Sequence, residues 1–345
     1  ILFPLTVASH NYKMEQRRQA ANVLLQKICE HSAELVEQAR MVSKELIRVA
    51  ILWSEMWYEG LDEASRHFSE KNYEAMFAVL SPLHNALKVG GAATTSEAEF
   101  IAAYGNDLKE AWDRCLKYRN LSNRRDLEAA WDHYHQVYRM ISKSFPMLTS
   151  LELQDVSPKL YDARELQLVI PGTYLRSREP VNIQSFNRRL TVINSKRRVR
   201  RFGLTGTDGK NYQYLLKAHE DLRQDERVMQ LFSLINSLLG SHPTTAKQHL
   251  EIRSYFVLPL SLNLGLMEWV PTCDTVHGLV RMQRERNGIV LNQEVRLMLQ
   301  MTPDYDLLST IQKIEVFRSA LAAIEGDDIA RVMWLQSKNA ESWLE

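Results

Sequence analysis

Lys217, Glu220 and Asp225 lie within nine residues of one another, one cation and two carboxylates at a spacing that suits charge handling. Residues 212–216 alternate in polarity and read as a half-buried strand that ends in the lysine. Beyond it, Val228, Met229, Phe232, Ile235 and Leu239 fall at helical spacing, which places Asp225 on the core-facing stripe of a helix over 225–239. A carboxylate there needs a cation, and Lys217 is the candidate. A lysine held between a carboxylate and open space can receive the phosphates of a nucleotide. A solvated lysine followed by an ordinary acidic first helical turn explains the same residues without chemistry.

A second candidate precedes it. Residues 195–201 carry Ser195 and five cations between two expected strands. Such a turn offers backbone N–H groups, a hydroxyl and positive charge to a polyphosphate. It is not glycine-rich, and a solvated basic edge strand is the alternative. Two aromatic stripes form a third feature: Trp53, Trp57, Leu61, Ala64, Ser65 and Phe68 share one helical face, and Trp131, Tyr134, His135 and Tyr138 share another. Stripes of this kind are core, or they wall an apolar groove left open around the small Ser65. Asp327 and Asp328 are adjacent, so on a helix their side chains diverge by about 100° and suit a helix start better than a metal pair.

These residues need a framework, and 345 residues suffice for two or three domains with real cores. An apolar fraction of 45% and a charged fraction of 25% are ordinary globular values, which excludes a disordered or fibrous chain. The net charge of +1 gives no general attraction to nucleic acid or lipid headgroups. Cys29, Cys115 and Cys273 are far apart, with no metal or disulfide spacing, as suits a reducing compartment. No signal-peptide pattern and no apolar run of membrane length occurs, so cytoplasmic residence without a transmembrane segment is expected. The chain opens without Met inside a helical pattern and reads as a fragment.

The expected fold class is α+β. Residues 13–46 read as helix, followed by helices over 47–68, 73–89, 96–118 and 124–144. Pro82 implies a bend or break in the second of these four, and Gly90–Gly91 a linker after it. Short connections make the four a compact bundle. From Leu151 the period becomes two, with strands expected over 166–170, 181–183, 190–193, 202–204, 212–216, 251–260 and 264–270, and an Asp208–Gly209 hairpin turn. Residues 275–345 return to helix. The expected domains are 1–41, 42–146, 147–270 and 271–345. Residues 289–326 hold more apolar surface than a lone insertion can bury, either as lobe core or as a partner-facing helical pair.

The run from Leu215 to Phe232 resembles the N-lobe signature of the phosphatidylinositol-3-kinase-related protein kinases, specifically the TOR family, with Ala218 where that family has Gly. The likeness continues through Trp269–Thr275, Pro303–Asp306 and, upstream, Val49–Arg66, and it covers essentially the whole chain. It implies the tail of a FAT helical region, an FKBP–rapamycin-binding four-helix bundle, a kinase N-lobe of twisted antiparallel sheet with one helix, and the helical start of a C-lobe. It implies an ATP-dependent serine/threonine protein kinase of growth signalling. The ATP-binding positions carried over are Ser195, Leu215, Lys217, Glu220, Asp225, Tyr255, Met267, Trp269 and Val270, the hinge backbone meeting the adenine and the Trp269 indole packing on its face. Val199 replaces the family's Pro, which loosens the basic turn, and Met267 and Glu268 replace Ile and Gly, which alters the expected inhibitor profile. The resemblance implies Mg²⁺ held by a Gly-x-x-Asp-Arg-His-x-x-Asn loop and an Asp-Phe-Gly motif. Neither motif occurs in these 345 residues, so no catalytic residue is assigned and the isolated chain is expected not to transfer phosphate.

By the same resemblance Leu61, Ser65, Phe68, Trp131, Asp132, His135 and Tyr138 carry over to the groove that binds FKBP–rapamycin and docks substrates. Glu128, His135 and Tyr138 replace Thr, Tyr and Phe, and these polar changes predict weakened binding of an apolar macrolide. Residues 289–326 resemble the element that binds the WD40-propeller subunit of TOR complexes. Protein substrates are implied as partners, nucleic acid is not, and recruitment to a lysosomal or vacuolar membrane surface is implied by the family. Two other classes stay open: a non-catalytic docking or scaffold module, and a lipid kinase of the phosphoinositide 3-kinase type, against which the tryptophan-rich bundle argues.

Overall fold

Residues 15–50 contain no glycine or proline and repeat apolar side chains at helical spacing, so they form helices α1 (Glu15–His31) and α2 (Ala33–Ala50), interrupted only at Ser32. The computed structural model describes residues 5–6, 15–121, 123–175, 177–193, 195, 197–271, 273–324, 326–340 and 343. The described residues divide into two compact units, 1–269 and 270–345. Residues 47–50, expected to open the bundle, instead finish α2, so positions 41 and 42 lie within one helix. The chain then turns extended at Ile51 and Leu52. Helix α3 (Trp53–Ser69) begins there because the Glu55 carboxylate accepts the Leu52 N–H at 3.1 Å, sealing the first turn.

Helices α3, α4 (Tyr73–Gly90), α5 (Thr95–Leu121) and α6 (Arg124–Ser144) make the bundle. Asn72 and Asn123 cap α4 and α6 with their side chains, and Gly91 ends α4 with a positive φ that favours glycine. Pro82 does not break α4, which runs through it unbroken. Trp57, Leu61, Met76, Leu80, Leu108, Leu127, Tyr134 and Ile141 are almost wholly buried in one core. Within it the His84 ring stacks on Trp112 at 4.4 Å and its Nε2 meets the Tyr134 hydroxyl at 2.9 Å.

A seven-stranded antiparallel sheet follows, ordered β1–β3–β4–β5–β7–β6, with β2 also pairing β4. In chain order the elements are β1 (Ser150–Glu152), the short helices α7 (Leu153–Val156) and α8 (Pro158–Asp162), then β2 (Ile183–Phe186), β3 (Arg189–Val192), β4 (Arg200–Gly206) and β5 (Asn211–Ala218). Helices α9 (Arg223–Ser241) and α10 (Pro243–Lys247) precede β6 (Val257–Ser261) and β7 (Leu264–Glu268). The Asp208–Gly209 turn joins β4 to β5 as expected, Gly209 taking φ +76°. Residues 166–170 are not a regular strand; Leu166, Leu168 and Ile170 bury alternately and exchange backbone hydrogen bonds with Val181 and Ile183, but the pairing amounts to one isolated bridge between Val169 and Asn182. The strand expected over 251–260 starts only at Val257. The Asn236 side chain takes over the backbone of Ile252 instead, accepting from its N–H at 2.8 Å and donating to its carbonyl at 2.7 Å.

The stripe on α2 explains where this sheet buries one face. Val42, Leu46 and Val49 share a core with Tyr214, Leu216, Leu204 and Leu266. Helix α9 is less buried than its periodicity suggests: none of its residues is buried, Val228 is exposed, and Met229, Phe232, Ile235 and Leu239 are half-covered. Asp225 is half-buried too and shares that half-covered face, which is not a closed core.

The second unit contains helices α11 (Val276–Arg286), α12 (Gln293–Met301), α13 (Thr310–Ala322) and α14 (Asp328–Gln336), and Arg284 of α11 is buried. Its guanidinium pairs with Glu294 and, at 2.8 Å, with Asp328. Asp327 pairs with Arg331, so each of the adjacent aspartates has its own arginine. None of the residues of α12 is buried, and Leu299, Leu307, Ile311 and Phe317 are exposed. Among the described residues no helix is long and apolar enough to cross a membrane.

Candidate functional site

Alternation along β5 sends Tyr214, Leu216 and Ala218 into the α2-facing core and Gln213, Leu215 and Lys217 to the opposite, half-buried face. Directly opposed residues of antiparallel strands share a face, so register adds Arg201 and Met267 beside Leu215, and Gly265 beside Lys217. The result is a partly apolar surface with a single lysine on β5. The Lys217 ammonium lies 2.6 Å from Glu220 and its side chain is 23% exposed, so it is sheltered yet accessible. Glu220 also accepts a pair from Arg197 at 2.8 Å. Partial burial works to raise the Glu220 carboxyl, but the Lys217 hydrogen bond and charge, with Arg197, hold it below the usual carboxylate range. Lys217 pairs with Glu220, and among the described residues no ion pair joins it to Asp225, the carboxylate expected to need it.

The basic turn departs further from expectation. Ser195 is exposed and its carbonyl accepts the Arg198 N–H at 3.1 Å, closing the turn; Lys196 lies outside the described residues. The remaining cations are not a free positive patch. Arg197 pairs Glu220 and donates to the His219 carbonyl at 2.9 Å. Arg198 reaches Glu55 of α3 at 2.7 Å and lies 3.7 Å over the Phe145 ring. Arg200, only 1% exposed, donates to Glu55 and to the Arg198 carbonyl. Arg201 lies 4.4 Å over the Trp269 indole. A solvated edge strand would show none of this.

The other positions expected to line a nucleotide pocket, Tyr255, Trp269 and Val270, lie just outside β6 and β7. Trp269 donates its N–H to the Gln213 carbonyl at 2.9 Å, so that donor is occupied within the sheet. Glu268 has a structural task, its carboxylate accepting the Phe256 N–H at 2.9 Å. Tyr255 lines a cavity with Glu226, Met229 and Val257, and Gly172 closes it in a left-handed conformation (φ +88°) where a Cβ would lie 2.8 Å from Phe256. Val270 is the first residue of the second unit, and its carbonyl accepts from the Cys273 thiol. Among the described residues no group of three or more His, Cys, Asp or Glu side chains could hold a metal ion.

In the bundle, Phe68 and Trp131 approach to 4.9 Å between ring centroids, with His135 5.8 Å from Trp131. Asp132 and His135 are exposed, Ser65, Phe68 and Tyr138 half-buried, whereas Leu61 and Tyr134 are core. Leu61 therefore supports this surface from beneath. Tyr138 stacks on Tyr58 at 4.5 Å and donates to its hydroxyl at 2.9 Å, an arrangement that pushes its own hydroxyl up to about 12. The polar group expected to trouble an apolar ligand there already has a partner.

Residues 45–143 match the family described as FKBP12-rapamycin binding domain, and residues 211–345 match phosphatidylinositol 3- and 4-kinase. The chain is 51% identical over 346 residues to the serine/threonine-protein kinase TOR of Oryza sativa subsp. japonica. It is 49% identical over 346 residues to the serine/threonine-protein kinase mTor of Drosophila melanogaster, and 47% identical over 347 to TOR2 of Saccharomyces cerevisiae. All three alignments cover the whole of this chain. The chain belongs to the TOR kinase family. It spans 14% of the length of each of those relatives. Sequence reasoning about this TOR-family segment missed Glu55, because an acid at the third position of a helix reads as a capping residue, a role it does fill. It also missed Arg201 as the cation over Trp269; the odd-numbered alternation of β4 with β5 was the available signal.

Proposed function

We propose that this segment provides the ATP-binding lobe and the docking bundle of a TOR-type serine/threonine protein kinase. The carrying observation is Lys217, half-sheltered on the sheet face that also bears Leu215 and Met267, and hooked to Glu220 at 2.6 Å. In this reading the ammonium neutralises nucleotide phosphate charge, Glu220 keeps it extended toward them, Ser195 contributes a hydroxyl from the basic turn, and Leu215, Tyr255, Met267 and the Trp269 ring shelter the adenine. Asp225 adds negative charge at the start of α9. Because the Trp269 N–H is occupied by Gln213, adenine recognition falls to the neighbouring hinge groups around Val270. ATP, when bound, supplies the phosphoryl group to be transferred; the Mg²⁺ that accompanies it is assigned to motifs absent from these 345 residues.

Leu61, Ser65, Phe68, Trp131, Asp132, His135 and Tyr138 we assign to the FKBP–rapamycin and substrate-docking groove, in line with the family match over residues 45–143. The same bundle favours a protein kinase over a lipid kinase. The exposed apolar side chains of α12 and α13 support a partner-facing role for residues 289–326, with a WD40-propeller subunit as the partner. We place the protein in the cytoplasm, with recruitment to a lysosomal or vacuolar surface. The test is ATP binding by the full-length kinase carrying Lys217→Met. Removing the ammonium should weaken nucleotide affinity at least tenfold by a loss of roughly 1.5–3 kcal/mol from a charged hydrogen bond. Undiminished affinity would overturn the assignment.

A further inference from the structure

Two residues beside the lysine hold left-handed backbone without being glycine: Arg198 at φ +43° and His219 at φ +60°. Such conformations are costly for these residue types and persist only where surrounding contacts over-determine them. Both are gripped by the same helix of the bundle. Glu55 holds Arg198 at 2.7 Å and also receives Arg200, whose other nitrogen fixes the Arg198 carbonyl. Glu59, one turn further along α3, meets the His219 ring at 3.3 Å. Between these anchors runs a continuous charge chain: His219 gives its carbonyl to Arg197, Arg197 pairs Glu220, and Glu220 holds Lys217.

We propose that Glu55 and Glu59 are positioning residues for the nucleotide site, so that the docking bundle sets the shape of the basic turn and of the Lys217–Glu220 hook. The proposal rests on the reading of that site as an ATP site. The depth of the contact supports more than incidental packing. Glu55 is 3% exposed and Arg200 1%, and a buried pair in this state is broken only at the expense of leaving a charge unpaired. Phe145, at the end of α6, closes over Arg198 at 3.7 Å and packs on Tyr58 of α3, so the first turns of α3 and the end of α6 clamp the turn together. A ligand that shifts α3 would therefore act on the phosphate-binding turn through two carboxylates, without touching the sheet.

The experiment uses the full-length kinase with Glu55→Gln, Glu59→Gln and the double variant Glu55→Gln/Arg198→Gly, measuring KM for ATP, kcat and amide hydrogen exchange. Glu55→Gln should raise the KM for ATP roughly tenfold, as expected for a displaced binding group, with a smaller change in kcat. Amides of residues 197–201 should exchange faster while those of residues 127–141 in the bundle stay protected. Glu59→Gln, whose partners are more exposed, should give the same pattern more weakly. Glycine takes the left-handed backbone unaided, so Arg198→Gly should recover part of the KM lost in Glu55→Gln. Unchanged KM together with unchanged exchange over 197–201 in the two glutamate variants overturns the proposal. That result leaves the ATP site itself standing if Lys217→Met weakens nucleotide binding as expected; if Lys217→Met binds ATP normally, it is the site reading that fails.

Discussion

Acidification should loosen the docking bundle through one buried imidazole. His84 is 3% exposed, stacked on Trp112 and hydrogen-bonded to Tyr134, whose neighbour Trp131 forms the floor of the proposed groove. Burial, aided by the charge of Lys88, pushes its pKa down to about 3, from an ordinary value near 6.5. The folded state therefore keeps the ring neutral while the unfolded chain takes up a proton below about pH 6.5. Stability from this group is complete above that pH and declines as pH falls toward 3, the unfolded state binding more protons throughout the interval. At pH 5 the difference amounts to about 2 kcal/mol, which is a large part of a domain's net stability. Urea unfolding followed by tryptophan fluorescence at pH 7.5 and pH 5 is the assay, and it favours the bundle because Trp53, Trp57, Trp112 and Trp131 are four of the seven tryptophans. His84→Gln should flatten the pH slope by that amount. An equal slope in the native chain and in His84→Gln would refute the reasoning.

Gly265 stands opposite Lys217, and a Cβ there would lie 2.7 Å from the Leu258 carbonyl and 2.9 Å from Leu222. Gly265→Ala should therefore lower stability by about 1–3 kcal/mol, as overpacking does, and weaken ATP binding with it, both readable by thermal shift with and without nucleotide. In the groove, the double change Glu128→Thr/His135→Tyr should strengthen the FKBP–rapamycin complex by about one decade in calorimetry, since it removes polar groups from an apolar contact. Tyr138→Phe should add little, because the Tyr138 hydroxyl is already satisfied by Tyr58 and its loss leaves that partner unpaired.

Much of the helical architecture was legible from periodicity and caps. The helix over residues 124–144 and the Asp208–Gly209 hairpin followed from local signals that tertiary contacts reinforced. The errors share one cause. The break at Ile51–Leu52 has no glycine or proline to announce it, and depends on where α2 lies against the sheet and α3 against the bundle. Residues 251–256 have strand-like composition, but Asn236, sixteen positions earlier, claims the backbone of Ile252. Helix α9 carries a full apolar stripe, yet the structure leaves it half-covered, so Asp225 is only half-buried and, among the described residues, makes no ion pair with Lys217.

At the candidate site the division is sharper. The order of residues alone determined that a lysine ends an alternating strand, that acids follow within three to eight positions, and that five cations crowd one turn, since these are facts of spacing along a chain. Which acid meets which cation was decided in three dimensions. Glu220 takes Lys217 because a tight turn after β5 folds it back, while Glu55, more than 140 residues away in sequence, takes Arg198 and Arg200 because the first turn of α3 lies beside the start of β4. Charge pairing depends on separation and shelter from water, and neither quantity is written in a linear pattern once the partners come from different elements.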